Sequence, residues 1–549
     1  MNENYHFKMF FKEHFLKFLI ILFYAFIFII GEKQVDAIAD ISIRKAVICF
    51  ALWLFLLLLN TLSSKVNTII LFMIAIWVGT ESTLGLFHII KKLFFADNIS
   101  GYIGSFLNPG PYGGFLAVGI SILLPYVVEQ KTISTFFKSF LFVELFITIL
   151  VLSFTNSRAA VLSLFISLTF FFVRDDRVVL FLKKHFFIII FFVVFICTWG
   201  YYAKRPSADG RLFMDKICIH AIVDNKGKGP GLGKYVLLYE NAQENFFRKN
   251  ISIEKGVLDI KNTKEKDRFR ACDPMVSFNS FLLIGVEMGI IPMVLFFLII
   301  STTIILLNRK CSPFYYGLLA FSVFGLFSYP LQLWQFQLLG TVMIADASSL
   351  NSLTVCSIKK KYVIYLLVIP VLLMYHNIEK ALHTAYEYRD WKRNSILFEL
   401  EEYQLYSELC SEKYDILRYV PNFMLEYGLS LSKEGNINKS DSIFIECQSY
   451  YTSPLLLSML GDNCTKKGDF YSAEKYYIDS FVMLPDRITP LYKLSKLYEL
   501  MGDTIASINM INCAKDFRCK VESELTEKVR ESLRNLEKEL SIVYNNSKD

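Results

Sequence analysis

Arg158 stands in Asn156-Ser157-Arg158-Ala159-Ala160, between two apolar runs. A guanidinium there is costly unless it snorkels to water or meets an anion, and the small residues after it leave room for close approach. Arg211 belongs to a second cationic stretch: residues 203–279 carry fifteen Lys and Arg against ten Asp and Glu, a net of about +5. Such a surface favours an anionic ligand or lipid headgroups. Glu287 lies about one and a half turns into an apolar run that opens with Ser277-Phe278-Asn279-Ser280. A carboxylate in that setting faces protein or water rather than lipid, either as a functional group or as the neutraliser of a neighbouring cation. Forked guanidinium donors bind polyanions such as a diphosphate and stabilise charge that develops on them.

Three further segments bear on chemistry. Gly104-Ser105-Phe106-Leu107-Asn108-Pro109-Gly110-Pro111-Tyr112-Gly113-Gly114 is turn-rich and implies irregular backbone at a membrane interface, either as an ordinary loop or around a wet cavity. The run Gly227-Lys228-Gly229-Pro230-Gly231-Leu232-Gly233-Lys234-Tyr235 resembles a nucleotide loop but places Tyr235 where magnesium binding needs Ser or Thr, and no strand is expected before it. Phe213, Ile217 and Ala221 recur at four-residue spacing after Gly210-Arg211, which predicts an amphipathic helix starting there and lying against the membrane, with His220 in a surface role. The eleven cysteines form no C-x-x-C pair and no metal-binding spacing, so no metal is expected; Cys218 and Cys272 are either a disulfide or two small buried thiols.

These residues need a membrane around them. Hydrophobic residues make up 54% of the 549-residue chain and come in blocks rather than at a core period. Eleven blocks approach span length: 15–31, 46–62, 66–90, 112–128, 140–155, 159–173, 186–202, 281–307, 314–329, 331–345 and 362–375. The first resembles a signal peptide through Ala37-Ile38-Ala39, but reads better as an uncleaved anchor. Lys and Arg beside short loops put the N-terminus, Lys131, Lys138, Arg174, Lys183, Arg309, Lys310 and Lys359 to Lys361 on the cytoplasmic side; Arg44, Lys45, Lys91 and Lys92 break the rule. The expected fold class is therefore all-α, a polytopic bundle of about 11–12 spans. It divides into N-terminal helices (1–202), a large extracytoplasmic loop (203–280), C-terminal helices (281–376) and a soluble helical domain (394–540).

That last domain repeats. Pro421, Pro454 and Pro490 are 33 and 36 residues apart, and Gly435, Gly468 and Gly502 are 33 and 34 apart, each glycine ending one helix before a polar turn. The period, with Ala473, Tyr476 and Tyr477 as packing residues of the best unit, resembles tetratricopeptide repeats in an α-solenoid. The resemblance implies a protein partner on the repeats; the alternative is an array that stabilises the membrane part.

Asn108-Pro109-Gly110, Ser157-Arg158-Ala159, Gly210-Arg211, Gly231-Leu232-Gly233, Asn279-Ser280 and Glu287-Met288-Gly289, in that order, resemble the O-antigen ligase and O-antigen polymerase superfamily of bacterial membrane glycosyltransferases. The resemblance implies transfer of a glycan from undecaprenyl diphosphate to a glycan, lipid or protein hydroxyl on the outer face of the inner membrane, with loop and repeats periplasmic. No cofactor, metal or nucleic acid is implied, and membrane lipids are. Arg158, Arg211, Glu287 and Asn279 become the expected catalytic residues, and Asn108, Lys216, Gly231, Gly233 and Lys234 the expected substrate-binding ones. Where ligases of the family carry a histidine before the Asn-Ser pair, this chain has Phe278. Another group, such as Glu287, then helps the acceptor, or the mechanism differs. A repeat-unit polymerase is the neighbouring alternative; a flippase or a non-catalytic assembly scaffold is the alternative of another class.

Overall fold

A computed structural model of the chain describes residues 3–32, 37–63, 65–95, 103–130, 133–176, 204–261, 265–349 and 360–546, with scattered positions between 176 and 204. The expected span at 186–202 falls almost wholly outside the described residues. The protein is all-α apart from one short hairpin, and it divides into two compact units.

The first unit comprises residues 1–32, 43–205 and 276–378. Its main helices are α1 (Glu3–Glu32), α2 (Ala37–Leu62), α3 (Val66–Phe95), α4 (Pro109–Glu129), α5 (Thr135–Phe154) and α6 (Arg158–Phe172). Among the described residues, six helices are long and apolar enough to cross a membrane, and 14–30, 158–172 and 314–325 are shorter apolar helices. Helix α4 is the axis of this unit, with 83% of its apolar window buried. Its glycines remove the side chains that would keep neighbours away, so that Phe324 packs on Gly114 and Val78 on Gly119. Phe106, Phe115, Phe324 and Phe336 form the aromatic core beside it.

Two expectations need correction here. Only residues 104–108 of the Gly104–Gly114 segment are irregular: Pro109 takes the first turn of α4, where its missing N–H costs nothing, so Gly110 to Gly114 are helical. The apolar run 281–307 is not one helix. After α7 (Arg205–Asp224), α8 (Tyr235–Arg248), strands β1 (Ile251–Glu254) and β2 (Val257–Ile260), and the short α9 (Glu265–Arg268), the chain forms α10 (Ser280–Met288) and then α11 (Ile290–Lys310). Gly289 separates these two with φ +94° and ψ 179°, a conformation essentially reserved for glycine. Beyond them lie α12 (Phe314–Gly325) and α13 (Trp334–Ser348). Buried Asp346 ties three of these elements together: it accepts from Lys310 Nζ at 2.5 Å and Ser312 Oγ at 2.8 Å, and from Asn67. Lys310, expected beside a cytoplasmic loop, is thus half of an ion pair.

The second unit comprises residues 33–42, 206–275 and 379–549. The segment expected as a separate loop folds together with the soluble helices. The last apolar block does not stop at Tyr375 but continues through α14 (Lys360–Leu366), α15 (Val368–Asn394) and α16 (Ile396–Glu399), with α17 (Tyr403–Leu417) after them. Helix pairs follow: α18 (Pro421–Lys433) with α19 (Ile437–Gln448), α20 (Pro454–Lys467) with α21 (Phe470–Met483), and α22 (Thr489–Leu500) with α23 (Thr504–Lys515). Pro421, Pro454 and Pro490 sit in the first turns of α18, α20 and α22, and Gly435, Gly468 and Gly502 follow α18, α20 and α22 with positive φ, as their spacing predicts. Within the pairs the packing also recurs, Phe444 against Gly428 and Tyr477 against Gly461.

Polar contacts fasten residues 206–275 to these pairs. Gln243, fully buried, donates to Met483 O at 2.9 Å and to Cys272 O at 3.0 Å. Arg268 Nε donates to Pro485 O at 3.0 Å, Lys520 Nζ to Ala271 O at 2.7 Å, and Arg248 pairs with Asp479 at 2.5 Å. The β1–β2 turn, Lys255-Gly256, lies with Gly256 (φ +76°) directly on the backbone of Ala506 in α23. A Cβ there has no room.

Candidate functional site

In the first unit, three helix starts carry the sequence motifs. At α4, the Asn108 side chain caps the helix by accepting from Gly110 N at 2.8 Å. At α6, Ser157 occupies the cap position and Arg158 the first helical position, half-buried. The two starts are joined: Ser157 Oγ donates to Gly110 O at 3.2 Å, and Gly113 packs on Ser157 and Ala160. At α10, the Asn279 side chain accepts from Phe281 N at 3.1 Å and Leu282 N at 3.2 Å. The last turn of α12 links this third start to the first, since Phe324 packs on Gly114 while Gly325 lies against Ser280. Helix N-termini present unpaired N–H groups and partial positive charge, so adjacent starts with an arginine among them suit an anion.

Asn108 and Asn279 therefore have structural work as caps, in the asparagine position that capping chemistry favours. Phe278, at the family histidine's place, packs edge-on against Tyr329 with ring centroids 5.5 Å apart. Glu287, half-buried in the last turn of α10, interacts with the charge of Lys45 on α2. Lys45, which breaks the charge rule for short loops, thus has an opposite charge acting on it from α10. Glu81, absent from the sequence reading, and Ser280, named there only within the Asn279-Ser280 pair, stand beside these starts. Glu81 accepts from Ser105 N at 3.0 Å and Ser105 Oγ at 2.5 Å, and its backbone carbonyl accepts from Tyr112 OH at 2.7 Å, which fixes the chain just before α4. Ser280 Oγ is buried with no hydrogen-bond partner, a hydroxyl available to a bound ligand.

The second unit holds Arg211, Lys216, Gly231, Gly233 and Lys234. Helix α7 begins at Arg205, so Gly210-Arg211 lie inside it rather than at its start. Its Phe213–Ile217–Ala221 face is buried against the unit's own aromatics, Phe246 and Phe247, and does not face a bilayer. Leu212, Ile219 and Val223 are the exposed apolar residues of this helix. Arg211 is half-buried, and its neighbour Asp209 is buried in an ion pair with Arg270 at 2.6 Å, an anchor without a motif to announce it. Lys216 Nζ lies 4.4 Å from the centroid of the Phe246 ring, on which His220 also packs. Gly231 is buried, and Gly233 and Lys234 lead into α8 with both glycines at positive φ.

Cys218 and Cys272 are free thiols on the two sides of a tyrosine pair: Cys218 Sγ lies 3.7 Å from Tyr235 OH and Cys272 Sγ 3.6 Å from Tyr239 OH. Burial pushes the Cys218 thiol up to about 12 and the Cys272 thiol up to about 11, so both are poor nucleophiles. Glu240, fully buried on α8, has its carboxyl within hydrogen-bonding reach of the Asp273 carboxyl. Burial, then the neighbouring Asp273, hold its pKa well above the usual carboxylate range.

No protein-family model matches the chain, and no curated protein matches it.

Proposed function

We propose that the chain is a membrane glycosyltransferase of the O-antigen ligase type, in a bacterial inner membrane with about 11–12 spans, its loop and repeats periplasmic. It moves a glycan from undecaprenyl diphosphate to a glycan, lipid or protein hydroxyl. The observation that most supports this reading is the hydrogen bond between Ser157 and Gly110, which sets Arg158 and two helix starts side by side. An anionic diphosphate finds there both a guanidinium and oriented N–H groups. Arg211 is the second donor to the leaving diphosphate, and Asp209 with Arg270 holds its stretch of α7 in place.

In this reading the acceptor oxygen attacks the anomeric carbon from the face opposite the diphosphate, the glycosidic C–O bond to phosphate breaks, and the configuration inverts. The bond's electron pair leaves on the diphosphate, where the arginines stabilise it. Glu287 takes the proton of the acceptor hydroxyl, the role of the histidine in the ligases that the chain resembles, and the charge of Lys45 acts on it. Asn279 orders the start of α10, and Asn108, Lys216, Gly231, Gly233 and Lys234 contribute to donor binding. The helix pairs at 394–540 are tetratricopeptide-like, and a protein partner docks on them.

Deleting the gene and complementing with Arg158→Ala and Arg211→Ala tests the assignment. Surface glycan that fails to mature in both strains, with normal protein levels, is the expected result, and full rescue by both overturns it. Accumulated lipid-linked long chains identify a ligase, accumulated single repeats a polymerase.

A further inference from the structure

Glu144 is the tenth of twenty residues in α5. At about 1.5 Å per residue, roughly 15 Å of helix lies on either side of it, which is half of a hydrocarbon core of about 30 Å. Its carboxyl is therefore at the bilayer midplane, the costliest depth for an ionisable group. The residue is 8% exposed, and its Oε1 is buried with no hydrogen-bond partner. It lies against Gly79 of α3, where an added Cβ would come within 3.2 Å of its Cδ, so the glycine makes the space that the carboxyl occupies.

The interface that holds Glu144 is polar along one line. One turn on, Thr148 and Ser82 hydroxyls lie 2.8 Å apart, both fully or almost fully buried, and Thr148 Oγ1 also reaches Glu144 O. Farther along the same direction, Tyr112 OH lies over Gly85 and donates to Glu81 O, and the Glu81 carboxylate meets Ser105 just ahead of Asn108. The titratable side chains that α3 and α4 bring to this interface are thus Glu81 and Tyr112. Among the described residues no charged group acts on Glu144. A carboxylate with no cation beside it is not tolerated at this depth, so the group that neutralises it is a proton.

We propose that Glu144 is a proton-binding site within the membrane, connected through Thr148 and Ser82 to the end of the bundle that carries Asn108 and Ser157. Release transfers the proton from the carboxyl oxygen to water at that end. The anion left behind requires water between α3 and α5, so loss of the proton and parting of the two helices occur together. The proposal does not depend on the glycosyltransferase reading.

The test uses the full-length protein in liposomes and dicyclohexylcarbodiimide, an apolar reagent that adds to protonated carboxyls. The carboxyl proton passes to a carbodiimide nitrogen, its oxygen bonds the central carbon, and rearrangement leaves a stable N-acylurea on the side chain. Mass spectrometry is expected to find the adduct on Glu144, with yield falling several-fold as external pH is raised, while a water-soluble carbodiimide leaves it unmodified. An unmodified Glu144, or an adduct whose yield ignores pH while the protein stays folded, overturns the proposal. Infrared spectra give an independent reading: Glu144→Gln is expected to lose a protonated-carboxyl carbonyl band, and Ser82→Ala with Thr148→Val to slow its deuterium exchange. A spectrum unchanged by Glu144→Gln counts against the site even if that variant is less stable.

Discussion

Two carboxylates of the second unit behave in opposite ways because their neighbours differ. Asp209 is buried beside a cation: Arg270 donates to it at 2.6 Å, and that bond is the first cause of the raised pKa of Arg270. Removing the cation leaves a buried charge unpaired, so Arg270→Met is expected to destabilise the protein by about 2 kcal/mol. Asp209→Asn combined with Arg270→Met should recover most of that loss. Thermal unfolding of the detergent-purified single and double variants measures both, and additive effects would mean that the two side chains do not interact. Glu240 has no such cation, and its folded pKa is raised by burial and by Asp273, with Glu244 adding to the effect. Around it stand Tyr239 and Cys272 on its own segment and Tyr451 from the helix pairs, while Arg487 acts on Asp273. A carboxyl whose folded pKa lies above its unfolded value, about 4.3 for glutamate, contributes stability fully present below that value. The contribution is lost as pH rises through the folded pKa. The protection factors of the α8 amides, exchange rates corrected for the intrinsic pH dependence, should therefore fall from mildly acidic to alkaline pH, and Glu240→Gln should flatten that fall.

At the scale of elements, the sequence is most readable where one residue type alone dictates backbone geometry. Prolines at 33- and 36-residue spacing and glycines at 33 and 34 marked the helix pairs, because one opens a helix and the other closes it. Apolar runs marked the long helices, but not the break at Gly289, since hydropathy does not distinguish a glycine that bends the chain from one that merely packs. The β1–β2 hairpin was also hidden: each strand has four residues, too few for an alternating pattern to stand out. Asn108 and Asn279 showed the opposite difficulty, for a family motif and a helix cap use the same residue at the same place. Gly256 tests the hairpin's docking. Gly256→Ala introduces a side chain at positive φ and against the Ala506 backbone, and a loss of at least about 2 kcal/mol is expected from the two together. Unfolding of this variant should be compared with that of Lys255→Asn, a residue that tolerates the φ of +47° there and is expected to be nearly neutral. Equal behaviour of the two would mean that the hairpin does not rest on α23.

For the whole molecule, the largest departure from the linear domain plan is the association of residues 206–275 with the helix pairs. No local pattern reveals it, because Gln243 and Met483 are 240 residues apart and their bond uses a backbone carbonyl that any residue supplies. It also gives the helix pairs a role within the chain, since they hold the segment containing Arg211. Four anchors carry the association: Gln243 to Met483, Arg268 to Pro485, Lys520 to Ala271 and Arg248 to Asp479. Of these, Gln243 is the least replaceable, being fully buried with both ends of its amide used. Gln243→Leu removes four hydrogen bonds and leaves Met483 O, the Cys272 backbone and Tyr239 OH without that partner, at a cost of about 1 to 3 kcal/mol. The expected consequence is selective. Limited proteolysis of the full-length variant in membranes should cut within 206–275 several-fold faster, while fragments from 43–176 stay protected, and complementation should fall as it does for Arg211→Ala. If cleavage within 206–275 is unchanged while complementation is lost, Gln243 acts on the reaction by another route than by holding the segment to the repeats.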